Sequence, residues 1–108
     1  MSILNSALAA VAIVSLATAA QAAPDKKTER TWKAKCASCH GAEGKGDTDQ
    51  GKKLKVKDYT SAEWQASKTD DQLKKAIADG VPDMDGFKGK LDEEQIGNLV
   101  GFVRSLKK

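Results

Sequence analysis

Hydrophobic positions along the chain fall into two regimes. Residues 1–23 carry no charge, and 17 of them are apolar. From residue 24 onward apolar residues are sparse and return at helical spacing rather than in alternation, which predicts helices and almost no sheet. A first helix is expected from about Lys26 to Ser38, with Trp32, Cys36 and Cys39/His40 at i, i+4 and i+7/i+8 on one face. Residues 41–58 hold four glycines and no apolar period. They predict a loop of about 18 residues, long enough to be functional or to wrap a ligand. Thr60-Ser61-Ala62-Glu63 reads as a capping box opening a short helix that carries Trp64. Thr69-Asp70-Asp71-Gln72 is a second box, starting a helix with Leu73, Ala76 and Ile77 inward and Gly80 at its end. Residues 81–86, with Pro82 and Gly86, read as a loop. The last helix starts at the N-cap Asp92, with Gln95 at N3 and Leu91 and Ile96 as a hydrophobic staple. Ile96, Leu99, Val100, Val103 and Leu106 form its apolar stripe, and Arg104, Lys107 and Lys108 suit its C-terminus.

Composition sharpens this picture. The 18 basic and 15 acidic residues leave a net charge of +3, and all of them lie after residue 23. In residues 24–108, Leu, Ile, Val and Phe number 13 of 85. That is below the roughly 20% at which disorder becomes a serious expectation. A chain so short of core residues needs something to pack around. These numbers argue against a self-sufficient core, a multidomain enzyme and a polytopic membrane protein. The small net charge and few aromatics argue against nucleic acid.

The uncharged start reads as a secretory signal peptide over residues 1–22, although it has no Lys or Arg before its apolar run. Ala7 to Leu16 is the apolar stretch, and Ala20-Gln21-Ala22 fits the A-x-A cleavage pattern, giving cleavage near Ala22-Ala23. Residues 23–108 are then an exported domain, periplasmic in type, with no stable membrane insertion once the leader is removed. The alternative is an uncleaved anchor, since the run is just long enough to span.

Cys36-Ala37-Ser38-Cys39-His40 is a C-x-x-C-H sequence, which reads as a c-type haem attachment site. Two thiols three positions apart on a helical turn can each add to one haem vinyl group, and the histidine that follows is held under the iron as its proximal ligand. Three other readings compete. A Cys36–Cys39 disulfide would staple nothing remote. A thioredoxin-like redox pair would need a neighbouring βαβ pattern, and none is visible. Zinc would need a fourth ligand, and no second cysteine or histidine pair supplies one. A sixth iron ligand is expected from Met84, the single methionine after residue 23. It sits between Asp83 and Asp85 in a polar loop, a poor setting for core filler. A thioether there favours ferrous iron, and the two flanking carboxylates oppose it.

These residues resemble small soluble class I cytochromes c with one haem. Cys36, Cys39 and His40 match the attachment motif, and Trp32 stands four residues before the first cysteine, where the family usually has an aromatic. Residues 80–87 look like its methionine loop, and residues 99–106 like its terminal helix. The resemblance implies an all-α fold of about four short helices, the first and last crossing, that enclose one covalently bound haem. It also implies an electron carrier outside the cytoplasm. Three positions depart from the pattern. Thr28 replaces the glycine often found at the helix crossing, for which Gly97 and Gly101 are candidate substitutes. No proline lies between His40 and Thr60 to hold the histidine's second nitrogen, so that partner is unidentified. Asp85 replaces the proline that usually follows the methionine.

The expected function is therefore a one-electron carrier, not an enzyme, with His40 and Met84 as axial ligands and Cys36 and Cys39 as attachment points. The alternatives are a five-coordinate haem protein, peroxidase-like or a sensor, and a haem-free thiol–disulfide oxidoreductase. Lys45, Lys52, Lys53, Lys55 and Lys57 form either a docking patch for an acidic redox partner or a solvated loop face. A monomer is expected. Trp64 is read as packing or as a donor to a haem propionate, and Tyr59 and Phe87 as haem-pocket or core residues.

Overall fold

Asp25 starts the folded part by accepting a hydrogen bond from Thr28 N at 2.7 Å, which caps the helix α1 (Lys26–Lys35). The computed structural model describes residues 24–108, so the expected leader over 1–22 and its cleavage position lie outside the described residues. After α1 come α2 (Ala37–His40), α3 (Asp49–Leu54), α4 (Ala62–Ser67) and α5 (Asp70–Asp79). A two-residue antiparallel hairpin follows, β1 (Gly80–Val81) and β2 (Met84–Asp85), with Gly80 opposite Asp85 and Val81 opposite Met84. The last helix is α6 (Glu93–Ser105). Among the described residues none of these helices is long and apolar enough to cross a membrane.

The core sits where α6 packs on α1 and α5. It consists of Trp32, Leu73, Leu91, Ile96, Leu99, Val100 and Val103, all buried. Seven such side chains are few for a domain of this length, as its composition implied. Both ends of the expected staple, Leu91 and Ile96, lie in this cluster. The stripe on α6 is buried as expected through Val103, with Leu106 half-buried at the helix end.

One buried amide ties the elements together. Gln65 on α4 donates from Nε2 to Tyr59 O and to Val103 O, both at 2.8 Å. Its Oε1 and its backbone carbonyl accept from Arg104 Nη1 at 3.0 and 2.7 Å. Arg104 also donates to Asp70 Oδ1 at 2.8 Å and to Lys68 O at 2.5 Å. The planar guanidinium thus joins α6 to α4, to the α4–α5 connection and to the first turn of α5.

Several expectations need correction. The first helix ends at Lys35 rather than Ser38, because Cys36 (φ −118°, ψ −37°) breaks the run and α2 restarts after it. The loop expected over 41–58 contains α3. Thr48 Oγ1 caps it by accepting from Gly51 N at 2.9 Å, with Asp49 in its first turn and Lys52 and Lys53 in its last. The N-cap of α4 is Ser61, not Thr60. Thr60 is engaged elsewhere, donating from both N and Oγ1 to Asp58 Oδ1. The segment after Gly80 is a short hairpin rather than a plain loop, so the described residues hold six helices, not about four, and one minimal sheet. Gly97 and Gly101 do not provide a helix crossing, since a Cβ at either would meet open space. Thr28 itself is buried on α1.

Candidate functional site

A cleft of about 510 Å³ opens beside the core and gathers residues from most of the chain. That volume lies inside the roughly 300–1,000 Å³ typical of cofactor sites. Cys36, Cys39, His40 and Met84 all border it, although Met84 lies 44 positions beyond His40. Trp32, Tyr59, Trp64, Leu73, Ile77 and Phe87 supply apolar wall. All four candidate site residues are half-buried.

The short helix α2 that carries the C-x-x-C-H residues is fixed from several sides. Trp32 Nε1 donates to Gly41 O at 3.1 Å, which holds the chain just past His40 against α1. Thr48 Oγ1 donates to Ser38 O at 2.8 Å, and Gly46 N donates to His40 O at 2.8 Å. These bonds satisfy carbonyls that a four-residue helix leaves free. α3 then packs directly on α2. Gly51 makes this possible, because a Cβ there would run into Cys39 O and would lie 2.7 Å from Gly46 O.

His40 lies between two rings. Its imidazole is 5.7 Å from Trp32 at 34°, and it stacks on Tyr59 at 5.0 Å and 28°. Tyr59 in turn stacks on Trp64 at 4.1 Å. Nδ1 of His40 is buried with no protein partner. The structure supplies no acceptor where the sequence reading had found none. Burial lowers the His40 pKa, which keeps the ring neutral and its lone pair available to a metal. Burial also pushes the Cys36 thiol up to about 11. A thiol held protonated is the opposite of the activated cysteine that thiol–disulfide chemistry uses.

Met84 is brought in by the hairpin. α5 ends at Gly80, whose φ of 81° L side chains rarely adopt and whose Cβ would lie 2.5 Å from Met84 O. Phe87 N and Lys88 N then donate to Ile77 O and Ala78 O, which folds the segment back along α5. Tyr59 and Phe87, read as pocket or core, are both cleft wall. Trp64 packs on Tyr59 in that wall. Lys45 separates from the expected lysine patch by pairing with Glu43 at 3.0 Å. Lys55 and Lys57 stand at the cleft, joined there by Lys68.

The sequence reading missed Thr48, Gly51 and Gln65. A cap signal existed for the first: Thr48, then Asp49, then Lys52 and Lys53. Surrounding glycines masked it. Gln65 had no local signal, because its partners are distant carbonyls.

An apolar cleft fits a haem c. Two cysteines, an imidazole held neutral by burial and a thioether sulfur border it, which is a donor set that suits iron porphyrin. No group of three or more His, Cys, Asp or Glu suited to a bare metal ion occurs among the described residues.

Comparison with known proteins agrees with the geometry. Residues 23–103 match the family described as cytochrome c oxidase, cbb3-type, subunit III. Among solved structures the chain is similar to the KustC0563 c-type cytochrome, at 36% identity and a TM-score of 0.70, over 75% of this chain and 98% of that one. A tyrosine-to-phenylalanine variant of Kustc0563 superposes with a TM-score of 0.67 at 36% identity, over 74% and 98% of the two chains. No curated protein matches the chain.

Proposed function

Since the chain belongs to the c-type cytochrome family described as cytochrome c oxidase, cbb3-type, subunit III, we propose that it is a one-electron carrier with one covalent haem c. Cys36 and Cys39 form the thioether links, and His40 and Met84 are the axial ligands. The observation that carries this reading is the convergence of all four side chains on one apolar cleft. When bound, the haem supplies an iron that alternates between ferric and ferrous states.

The chain's own residues do the rest. Cys36, at the junction of α1 and α2, and Cys39, within α2, would hold the group against loss. His40 presents Nε2, with its ring plane set by Trp32 and Tyr59. Met84, carried to the cleft by the hairpin, would supply a soft sulfur ligand that favours the reduced state. Leu73, Ile77 and Phe87 keep water from the cleft wall. Ligation by both His40 and Met84 would leave no position open for a substrate, which would favour a carrier over a five-coordinate enzyme or sensor. The protonated Cys36 thiol speaks against a thiol–disulfide oxidoreductase.

The partners are redox proteins. Lys55 and Lys57, exposed at the cleft, with Lys52 and Lys53 exposed in the last turn of α3 just before them, suit an acidic docking surface. Residues 1–22 act as an export signal, and the working place is the periplasm.

Expression in a host that attaches c-haem tests this. The matured protein should gain the mass of one haem and show a Soret band, and the oxidised form should show the weak Met–Fe(III) charge-transfer band at the red edge of the visible. Met84→Ala should keep the Soret band and lose the charge-transfer band. An unchanged spectrum rejects Met84 as ligand, and absence of any Soret band rejects the carrier.

A further inference from the structure

The buried Nδ1 of His40 meets no acceptor. A metal-bound imidazole is ordinarily oriented by a hydrogen bond at its second nitrogen. Here the task falls to whatever fixes the backbone beneath the ring. The helix that carries it, α2, has four residues, too few to hold its own shape. Trp32 and Tyr59 flank the imidazole, but they do not anchor the chain from which it projects.

The anchor is the segment that returns over α2. Three consecutive carbonyls of the C-x-x-C-H run, those of Ser38, Cys39 and His40, accept from residues 46–48. Gly46 N donates to His40 O at 2.8 Å, and the Thr48 hydroxyl is shared between Ser38 O at 2.8 Å and Cys39 O at 3.2 Å. Among the described residues no other side chain hydrogen-bonds the backbone of α2. The same oxygen accepts from Gly51 N at 2.9 Å and so starts α3. Capping α3 needs only that acceptance. Donation to α2 is a second task, and Gly51 serves it by letting α3 close on Cys39 O. The loop reaches the stacked ring as well, because Tyr59 N donates to Gly44 O at 2.8 Å.

We infer that Thr48 is the positioning residue for the axial histidine. Its hydroxyl fastens the C-terminal half of α2 to the start of α3. Through that backbone it sets where the His40 ring stands between Trp32 and Tyr59. The inference rests on the reading of His40 as a haem ligand, and it adds what holds that ligand when its own side chain has no partner. Thr48 does not line the cleft. Its effect on a bound iron passes only through the direction and firmness of the imidazole. A ring less firmly held donates less to ferric iron, so loss of the fastening favours the ferrous state.

The test uses the matured protein and two readouts. Haem methyl signals in the proton NMR spectrum of the ferric form report the plane of the axial ring, and the reduction potential reports its donation. Thr48→Val keeps the side chain's size and loses its hydrogen bonds. It should redistribute the methyl shifts and raise the potential. Thr48→Ser should return both to the wild-type values. Asp92→Ala removes a cap of the same kind from α6, outside the cleft, and should lower the melting temperature while leaving methyl shifts and potential in place. Gly51→Ala keeps the hydroxyl but holds α3 off Cys39 O. It should redistribute the methyl shifts too, and it decides the matter if Thr48→Val does not mature. A wild-type methyl pattern in Thr48→Val or in Gly51→Ala overturns the inference. So does a change in Asp92→Ala as large as that in Thr48→Val, which would mark the effect as general loosening. Unchanged methyl shifts in a variant with its Soret band strike this inference alone, whereas a wild-type chain with no Soret band strikes the carrier reading and this inference with it.

Discussion

Tyr59 stacks on His40 on one side and on Trp64 on the other, and burial pushes its phenol up to about 12, with a smaller push from Cys36 when that thiol ionises. In the unfolded chain the phenol titrates near 10. The stability tied to a neutral Tyr59 is therefore complete below about pH 10 and is lost as pH rises through about 12. It is the chain's sole tyrosine, so tyrosinate absorbance reports it directly. The expected outcome is a midpoint near about 12 in the native protein, with unfolding free energy dropping over the same interval. Tyr59→Phe should remove that drop. Were Cys36 tied up as a thioether, as proposed, burial would remain the cause. Gly51 is the second residue with a sharp expectation. Its missing Cβ lets α3 lie on the Cys39 carbonyl. Gly51→Ala forces the two helices apart and should cost about 1–3 kcal/mol, typical of overpacking. Thermal melts of the matured protein, at roughly 4–8 °C per kcal/mol for a domain of this size, would show it.

Among the elements, capping and tertiary anchoring make separable contributions. Asp92 accepts from Gln95 N at 2.7 Å while Gln95 Oε1 accepts from Asp92 N at 3.0 Å. Asp92→Ala should cost about 0.5–2 kcal/mol in denaturant unfolding, as for other N-caps. Gln65→Leu should cost about 1–3 kcal/mol, because Tyr59 O would be left without its donor. Val103 O would still accept from Leu106 N. The contrast between these two explains what could be read from the chain. The reciprocal boxes at Thr69/Gln72 and Asp92/Gln95 are local, three residues apart, and α5 and α6 start where their letters say. The end of α1 at Lys35, α3 within a glycine-rich stretch, and the hairpin around Met84 depend on partners far along the chain. Thr48 reaches back to Ser38 and Cys39, and Phe87 reaches back to Ile77. No local pattern encodes those bonds. The site was more legible than the fold around it. The C-x-x-C-H run and Met84, the single methionine after residue 23, are chemical signals, and the chain brings them to one cleft. What surrounds His40, a pair of rings in place of a hydrogen-bond acceptor, was not legible, because it takes α1 and the segment before α4 to build it.

For the molecule as a whole, the apolar side chains are divided between a small core and the wall of the cleft. Trp32, Leu73 and Val103 serve both. Holding the cleft open without an occupant would leave much of that apolar surface in water, at about 25 cal/mol per Å². A Cys36→Ser/Cys39→Ser variant, unable to make thioether links, should therefore lose much of its helical circular dichroism, or unfold at far lower denaturant than the matured protein. A variant as stable as the matured protein would show that the core alone suffices.

Both tryptophans of the chain, Trp32 and Trp64, stand in that wall, one from α1 and one from α4. A porphyrin lodged between them would absorb their ultraviolet emission, leaving the native protein dark under excitation of the indoles. Any excursion that swung either helix away would relight it. Loaded with haem, the polypeptide would carry a built-in optical gauge of its own opening, readable in real time without a label.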